Sequence, residues 1–214
     1  MKACIFDLDG VIVDTAKYHF IAWKRLAESI SVEFNEHDNE QLKGLSRDAS
    51  LLYILNKGNI KATPSEFLAW TNQKNDWYLE LVHQMKDDEA LPNAVNLLNE
   101  LKSHNIRIAL GSASKNAMLI LERINLLNVF EAIIDGTKTS KSKPDPEVFL
   151  LGAEALNCAP SECVVFEDAI MGVRAAKTGG FHCVGIGTPD VLVEADHVIP
   201  DLTQASYAWL TEKF

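Results

Sequence analysis

The chain has no apolar run long enough to span a membrane as a helix. Its N-terminus also has neither the charged stretch nor the cleavage site of a secretory signal, so a cytoplasmic protein with no membrane partner is expected. The four cysteines form no Cys-x-x-Cys pair. Cys4, Cys163 and Cys183 sit in apolar strand-like runs and Cys158 closes a helical one, which argues for reduced, buried thiols over disulfides or zinc. Positive charge is scarce: 20 Lys and Arg against 30 Asp and Glu give a formal net charge of -10. The basic residues are scattered, so nucleic acid is not an expected partner, and a protein this acidic must gather its cations locally to handle anions. Repeats and low-complexity tracts are absent, and Gly185-Ile186-Gly187 lacks the third glycine of a dinucleotide fingerprint.

What is present begins at the N-terminus. The apolar run Cys4-Ile5-Phe6 ends in Asp7-Leu8-Asp9-Gly10. Side chains alternate across a strand, so Asp7 and Asp9 are expected to point the same way and share one small space while Leu8 points inward. Two such carboxylates are costly together unless a hard cation or a shared proton relieves the repulsion. Gly10 allows a sharp turn beside a ligand. Taken alone the motif also fits a solvated loop after a strand. A helix-loop-helix calcium site does not fit, because the glycine comes too early and Tyr18 stands where the closing glutamate belongs.

Beyond Thr15 the pattern turns helical. Trp23, Leu26, Ala27 and Ile30 define one face of a helix over residues 16–31, with His19 one turn before Trp23. A lone histidine there is ordinarily a packed, hydrogen-bonded residue. Polar residues 35–41 lead into Leu42-Lys43-Gly44-Leu45-Ser46-Arg47, whose cations beside a helix start suit phosphate or merely face solvent. Thr63-Pro64 reads as the cap and first turn of a helix over residues 64–85. On its stripe Phe67, Trp70, Lys74, Trp77 and Leu81, the lysine interrupts an apolar face, so that either its stem snorkels to water, the reading periodicity favours, or its ammonium faces a cleft.

From residue 88 onward helix and strand alternate. Strands over 106–111, 132–135, 163–166 and 182–186 predict an α/β fold, a parallel sheet with helices on both faces. Ligands bind beyond the carboxyl ends of such strands, which gathers Asp7, Asp9, Ser112, Ser114, Lys143, Glu167 and Asp168 at one edge. The change of pattern marks residues 16–86 as an inserted helical domain and residues 1–15 with 87–214 as the Rossmann-like core.

These pieces resemble the haloacid dehalogenase superfamily of phosphoryl-transfer enzymes: Asp7-Leu8-Asp9-Gly10, Ser112, Lys143-Pro144 and Glu167-Asp168 match its four signatures in order and spacing. The position of the insertion resembles the branch with a helical cap. Thr15, His19 and Trp23, the stretch from Leu42 to Arg47, Lys74-Asn75-Asp76 and Ser112-Ala113-Ser114-Lys115-Asn116 further resemble the β-phosphoglucomutase family, and the likeness covers nearly the whole chain.

The resemblance implies a magnesium-dependent isomerase that interconverts β-D-glucose 1-phosphate and D-glucose 6-phosphate through a hexose bisphosphate. Asp7 would be the nucleophile, since a carboxylate already ionised at neutral pH attacks without a base. Asp9 would be the general acid and base. Magnesium would be held by Asp7, the Asp9 carbonyl and Asp168, with Glu167 in direct or outer contact, while Lys143 and Ser112 touch the transferring oxygens. Thr15, His19 and Lys74 would place Asp9 on cap closure. Arg47, Ser114, Lys115 and Asn116 would hold the second phosphate, and Trp23, Lys43, Gly44 and Leu45 would complete the substrate surface. A sugar-phosphate phosphatase on the same core is the alternative. The protein is expected to be a monomer.

Overall fold

The computed structural model describes residues 1–42 and 45–214, so the expectations for Lys43 and Gly44 lie outside the described residues. By internal contacts the chain divides into two compact units, Thr15–Met85, and Met1–Asp14 with Lys86–Phe214.

The first unit is helical: α1 (Ala16–Ser29), α2 (Glu36–Gln41), α3 (Arg47–Lys57) and α4 (Pro64–Val82). Trp23, Leu26 and Ala27 of α1 meet Leu51, Ile54 and Leu55 of α3, with Val32 and Phe34 closing the cluster. The start of α4 follows its sequence: the Thr63 hydroxyl accepts from the Glu66 amide at 3.3 Å, the Glu66 carboxylate accepts from the Thr63 amide at 2.8 Å, and Pro64 occupies the first turn. Helix α2 was not expected from its polar sequence. It is held by local and tertiary bonds: a reciprocal cap between Asn35 and Asp38, and Lys57 Nζ on Asp38 Oδ2 at 2.5 Å.

The second unit contains β1 (Ala3–Phe6), α5 (Ala94–Ser103), β2 (Arg107–Gly111), α6 (Ala117–Arg123), β3 (Ala132–Ile134), α7 (Glu147–Ala155), β4 (Cys163–Glu167), α8 (Ile170–Thr178), β5 (His182–Ile186), β6 (His197–Ile199) and α9 (Tyr207–Lys213). The strands form one parallel sheet in the order β3-β2-β1-β4-β5-β6. Strand β1 is buried along its whole length, as expected for a strand covered on both faces. Ile5, Ala109, Val165 and Cys183 line one face against Phe149 of α7 and Val173 and Ala176 of α8. Phe6 stacks on its register partner Phe166 with ring centroids 4.5 Å apart.

This order puts the topological switch beside β1, where chain connections leave the sheet in opposite directions and a crevice opens at the carboxyl ends. Strand β6 was not anticipated, and β4 extends one residue further than its apolar run, to Glu167. Helix α7 ends before Cys158, which lies beyond it and does not close it.

Candidate active site

At the carboxyl ends of β1 and β4 the centre of charge is Lys143. Its Nζ lies 2.6 Å from Asp7 Oδ1 and 2.7 Å from Glu167 Oε2, with all three side chains buried. The ammonium also sits 4.8 Å from the centroid of the Phe149 ring. Burial alone would lower its pKa, but Asp7 and Glu167 outweigh burial and raise it, so Lys143 is a fixed cation. Glu167 is pushed up to about 7 by burial, against the pull of Lys143 and with the push of Asp7. Its Oε1 accepts from the Ala169 amide at 3.0 Å. Gly172 of α8 makes the room, since a Cβ there would overlap the Glu167 carboxylate. A glycine in the first turn of the helix just after Glu167 was a readable signal for this, and sequence reasoning passed over it.

Asp9 lies beyond the end of β1. Strand β1 ends at Phe6, and the chain then folds into a tight turn in which the Ile12 and Val13 amides donate to the Leu8 carbonyl at 2.9 and 3.1 Å. Gly10 carries that turn at φ +79, and a Cβ there would overlap the Asp168 carboxylate. Leu8 is buried as expected, and Asp7, Glu167 and Asp168 bring carboxylate oxygens together.

At the end of the neighbouring strand β2 the Ser112 amide donates to the Ile134 carbonyl at 2.9 Å. The Ser112 hydroxyl accepts from the Ser114 amide at 3.1 Å, and the Ser114 hydroxyl from the Asn116 amide at 3.2 Å. An oxygen that accepts from one amide keeps its own hydrogen to donate. Ser112 is buried, Ser114 and Asn116 are half-buried and Lys115 is exposed.

In the helical unit the expected residues form a second cluster. Lys74 is 2% exposed, so it does not snorkel. Its Nζ lies 2.8 Å from His19 Nδ1, 4.7 Å from the Trp23 ring centroid and 4.5 Å from that of Tyr78. Two aromatic faces and a ring nitrogen replace the water that a buried ammonium needs. Burial first, then Lys74 and Arg47, hold the His19 pKa well below 6.5. The imidazole is therefore neutral at physiological pH. An ammonium has no acceptor, so Nδ1 accepts the hydrogen bond from Lys74 and Nε2 carries the ring hydrogen. Arg47 opens α3, with Nη2 donating to Asn75 Oδ1 at 2.6 Å. Thr15 is buried, and its carbonyl accepts the Tyr18 and His19 amides at 3.0 Å each. Leu45 packs half-buried against the helical core. Sequence reasoning missed Tyr78, whose ring lies 4.3 Å from that of His19, and Asn75 as the partner of Arg47.

The sequence profile of the hydrolase family described as haloacid dehalogenase-like matches residues 1–180. The chain belongs to the haloacid dehalogenase-like family. Among its relatives there, the β-phosphoglucomutase of Bacillus subtilis is 42% identical over 100% of this chain and 96% of its own. A phosphatase of phosphorylated carbohydrates from Thermotoga maritima is 33% identical over 84% of this chain and 82% of its own. The crystal structure of β-phosphoglucomutase from Clostridium difficile superposes with a TM-score of 0.96 at 39% identity, covering 100% of this chain and 96% of that one.

Haloacid dehalogenase-like enzymes of the β-phosphoglucomutase type depend on a metal, and the residues here suit one. Asp7, Glu167 and Asp168 each offer a carboxylate oxygen within 4.8 Å of the others. Hard, anionic oxygen donors with no sulfur or imidazole among them match a hard divalent cation.

Proposed function

We propose that this enzyme is a magnesium-dependent β-phosphoglucomutase, with the helical unit as its cap and β-glucose 1,6-bisphosphate as the intermediate. The observation that carries the reading is Arg47. It provides a half-buried guanidinium in the helical unit, apart from the sequence of every core signature, as a mutase handling two phosphates requires. The likeness to a β-phosphoglucomutase along the whole chain supports it.

Asp7 attacks the phosphorus of the bisphosphate; the bond from phosphorus to the sugar oxygen breaks, and an aspartyl-phosphate forms. Asp9 gives its proton to that leaving oxygen. In the other half of the cycle the 6-hydroxyl of β-glucose 1-phosphate gives its proton to Asp9 and attacks the phosphorus of the aspartyl-phosphate, which frees Asp7 and forms the bisphosphate; the bisphosphate turns round before Asp7 takes the phosphoryl group from C1 and glucose 6-phosphate leaves. Lys143 and the Ser112 hydroxyl hydrogen meet the charge on the transferring oxygens. Asp7, Asp168, the Asp9 carbonyl and Glu167 are the candidates to hold magnesium, which when bound neutralises phosphoryl charge. Arg47 with Ser114, Lys115 and Asn116 takes the phosphate that is not reacting. The neutral His19 fixes Lys74, and with Thr15 this pair sets the position of Asp9.

The phosphatase reading shares every core step and differs in what attacks the aspartyl-phosphate: water, not a sugar hydroxyl. Measuring hexose-phosphate isomerisation and inorganic phosphate release together decides between them. Isomerisation far in excess of release is expected, and release equal to substrate consumed would overturn the mutase. Activity should vanish with a chelator and return with magnesium.

A further inference from the structure

Arg47 is poorly placed from the standpoint of its own helix. It is the first residue of α3, and the unpaired amides of a helix start carry partial positive charge, offset in that turn by Asp48. A flexible cation there would swing to solvent. Instead the guanidinium is tied across 28 residues to α4, through the 2.6 Å bond from Nη2 to Asn75 Oδ1. The tie is a neutral amide. A carboxylate would grip harder, but it would cancel the charge and compete with an anion for the same N–H groups. An amide oxygen takes one hydrogen of Nη2 and leaves the other, with the donors on Nε and Nη1, to a bidentate phosphate.

We propose that Asn75 is a positioning residue for Arg47, fixing the plane of its guanidinium towards the non-transferring phosphate while leaving its charge intact; this rests on the mutase reading and on the phosphate role given to Arg47 in it. Asn75 directly follows Lys74, which is held by His19, so one turn of α4 sets both Lys74 and Arg47. The rigidity of α4 then becomes part of substrate recognition, because the spacing of the two cations is fixed before substrate arrives.

The test is a double-mutant cycle read by steady-state isomerisation. Asn75→Ala should raise KM for β-glucose 1-phosphate by about three- to tenfold, the usual benefit of pre-ordering one long side chain at a binding site, with a smaller fall in kcat. In an Arg47→Ala background the same change should add nothing. Asn75→Asp keeps an acceptor for Arg47 but cancels its charge, so its KM should also rise while its melting temperature stays at or above that of the wild type. A strong Arg47→Ala effect with an independent, multiplicative Asn75→Ala effect would overturn the positioning role. So would wild-type KM in a folded Asn75→Asp. Wild-type KM in Arg47→Ala would instead overturn the phosphate assignment beneath the proposal, and the single variant alone shows which has failed.

Discussion

Replacing Lys143 by Met removes one positive charge from between two buried carboxylates while keeping an apolar stem against the Phe149 ring. Asp7 and Glu167 then face each other with no counter-charge, in surroundings where the Lys143 stem is 2% exposed and the two acids 8% and 1%. Breaking a buried ion pair from one side typically costs about 3–5 kcal/mol, and the lost contact of the ammonium with Phe149 adds about 0.5–2 kcal/mol. Against a typical total of about 5–15 kcal/mol, the variant should be barely folded in chelator. Urea unfolding of wild type and Lys143→Met, each with chelator and with magnesium, measures this. Magnesium should stabilise the variant more than the wild type, because the ion binds a more negative site, and an ion at a hundred times its Kd contributes about 2.7 kcal/mol. Adding Glu167→Gln removes one of the opposed charges and should restore about 1 kcal/mol or more. A loss below about 1 kcal/mol in chelator, or no recovery with Glu167→Gln, would refute the view that Lys143 balances these two carboxylates.

Other substitutions separate the remaining roles. Asp9→Asn should cut isomerisation by about 10²–10⁴ in a folded protein, the range expected when a general acid–base is lost; an unchanged rate would leave Asp9 no role beyond its backbone. Arg47→Ala should weaken use of glucose phosphates by roughly ten- to a hundredfold, the worth of a charged hydrogen bond, yet still allow acetyl phosphate, which has no second phosphate, to phosphorylate Asp7; equal losses with both donors would exclude the assignment. His19 has a folded pKa depressed below 6.5, so the stability it contributes is present above that pH and is lost as pH falls towards the folded value. His19→Asn, which keeps an acceptor for Lys74 but takes up no proton, should flatten the fall in melting temperature between pH 7.5 and 5, and an identical fall in both proteins would contradict the neutral imidazole.

Most of the core was legible because its signals are local. A buried strand announces itself by an unbroken apolar run, as in β1 and β5, and a polar residue at its carboxyl end is placed by the sheet, as Ser112 and Glu167 are. Where the chain leaves the strand the local signal changes: β1 stops at Phe6, and a turn built on Gly10 follows. Helix α2 and strand β6 were missed because neither carries a periodic apolar signal of its own; the first is six polar residues held by Asp38, and the second is three residues paired to β5.

The harder part lay in Lys74. Periodicity assigned it to the apolar stripe of α4, but whether a lysine on such a stripe reaches water or stays inside depends on what can replace its hydration. The replacement comes from Trp23 and from His19, which is 55 residues away, together with Tyr78 one turn along. Burying an ammonium costs several kcal/mol unless those partners are already in place. The neutral state of His19 depends in turn on its burial in this cluster and then on the nearby charges of Lys74 and Arg47. Each member of the cluster therefore has its property only once the others are present, which no window of sequence can contain. Arg47 and Asn75 repeat the pattern across 28 residues. The residues that distinguish this helical unit from a plain helical bundle are those whose chemistry is set by tertiary neighbours.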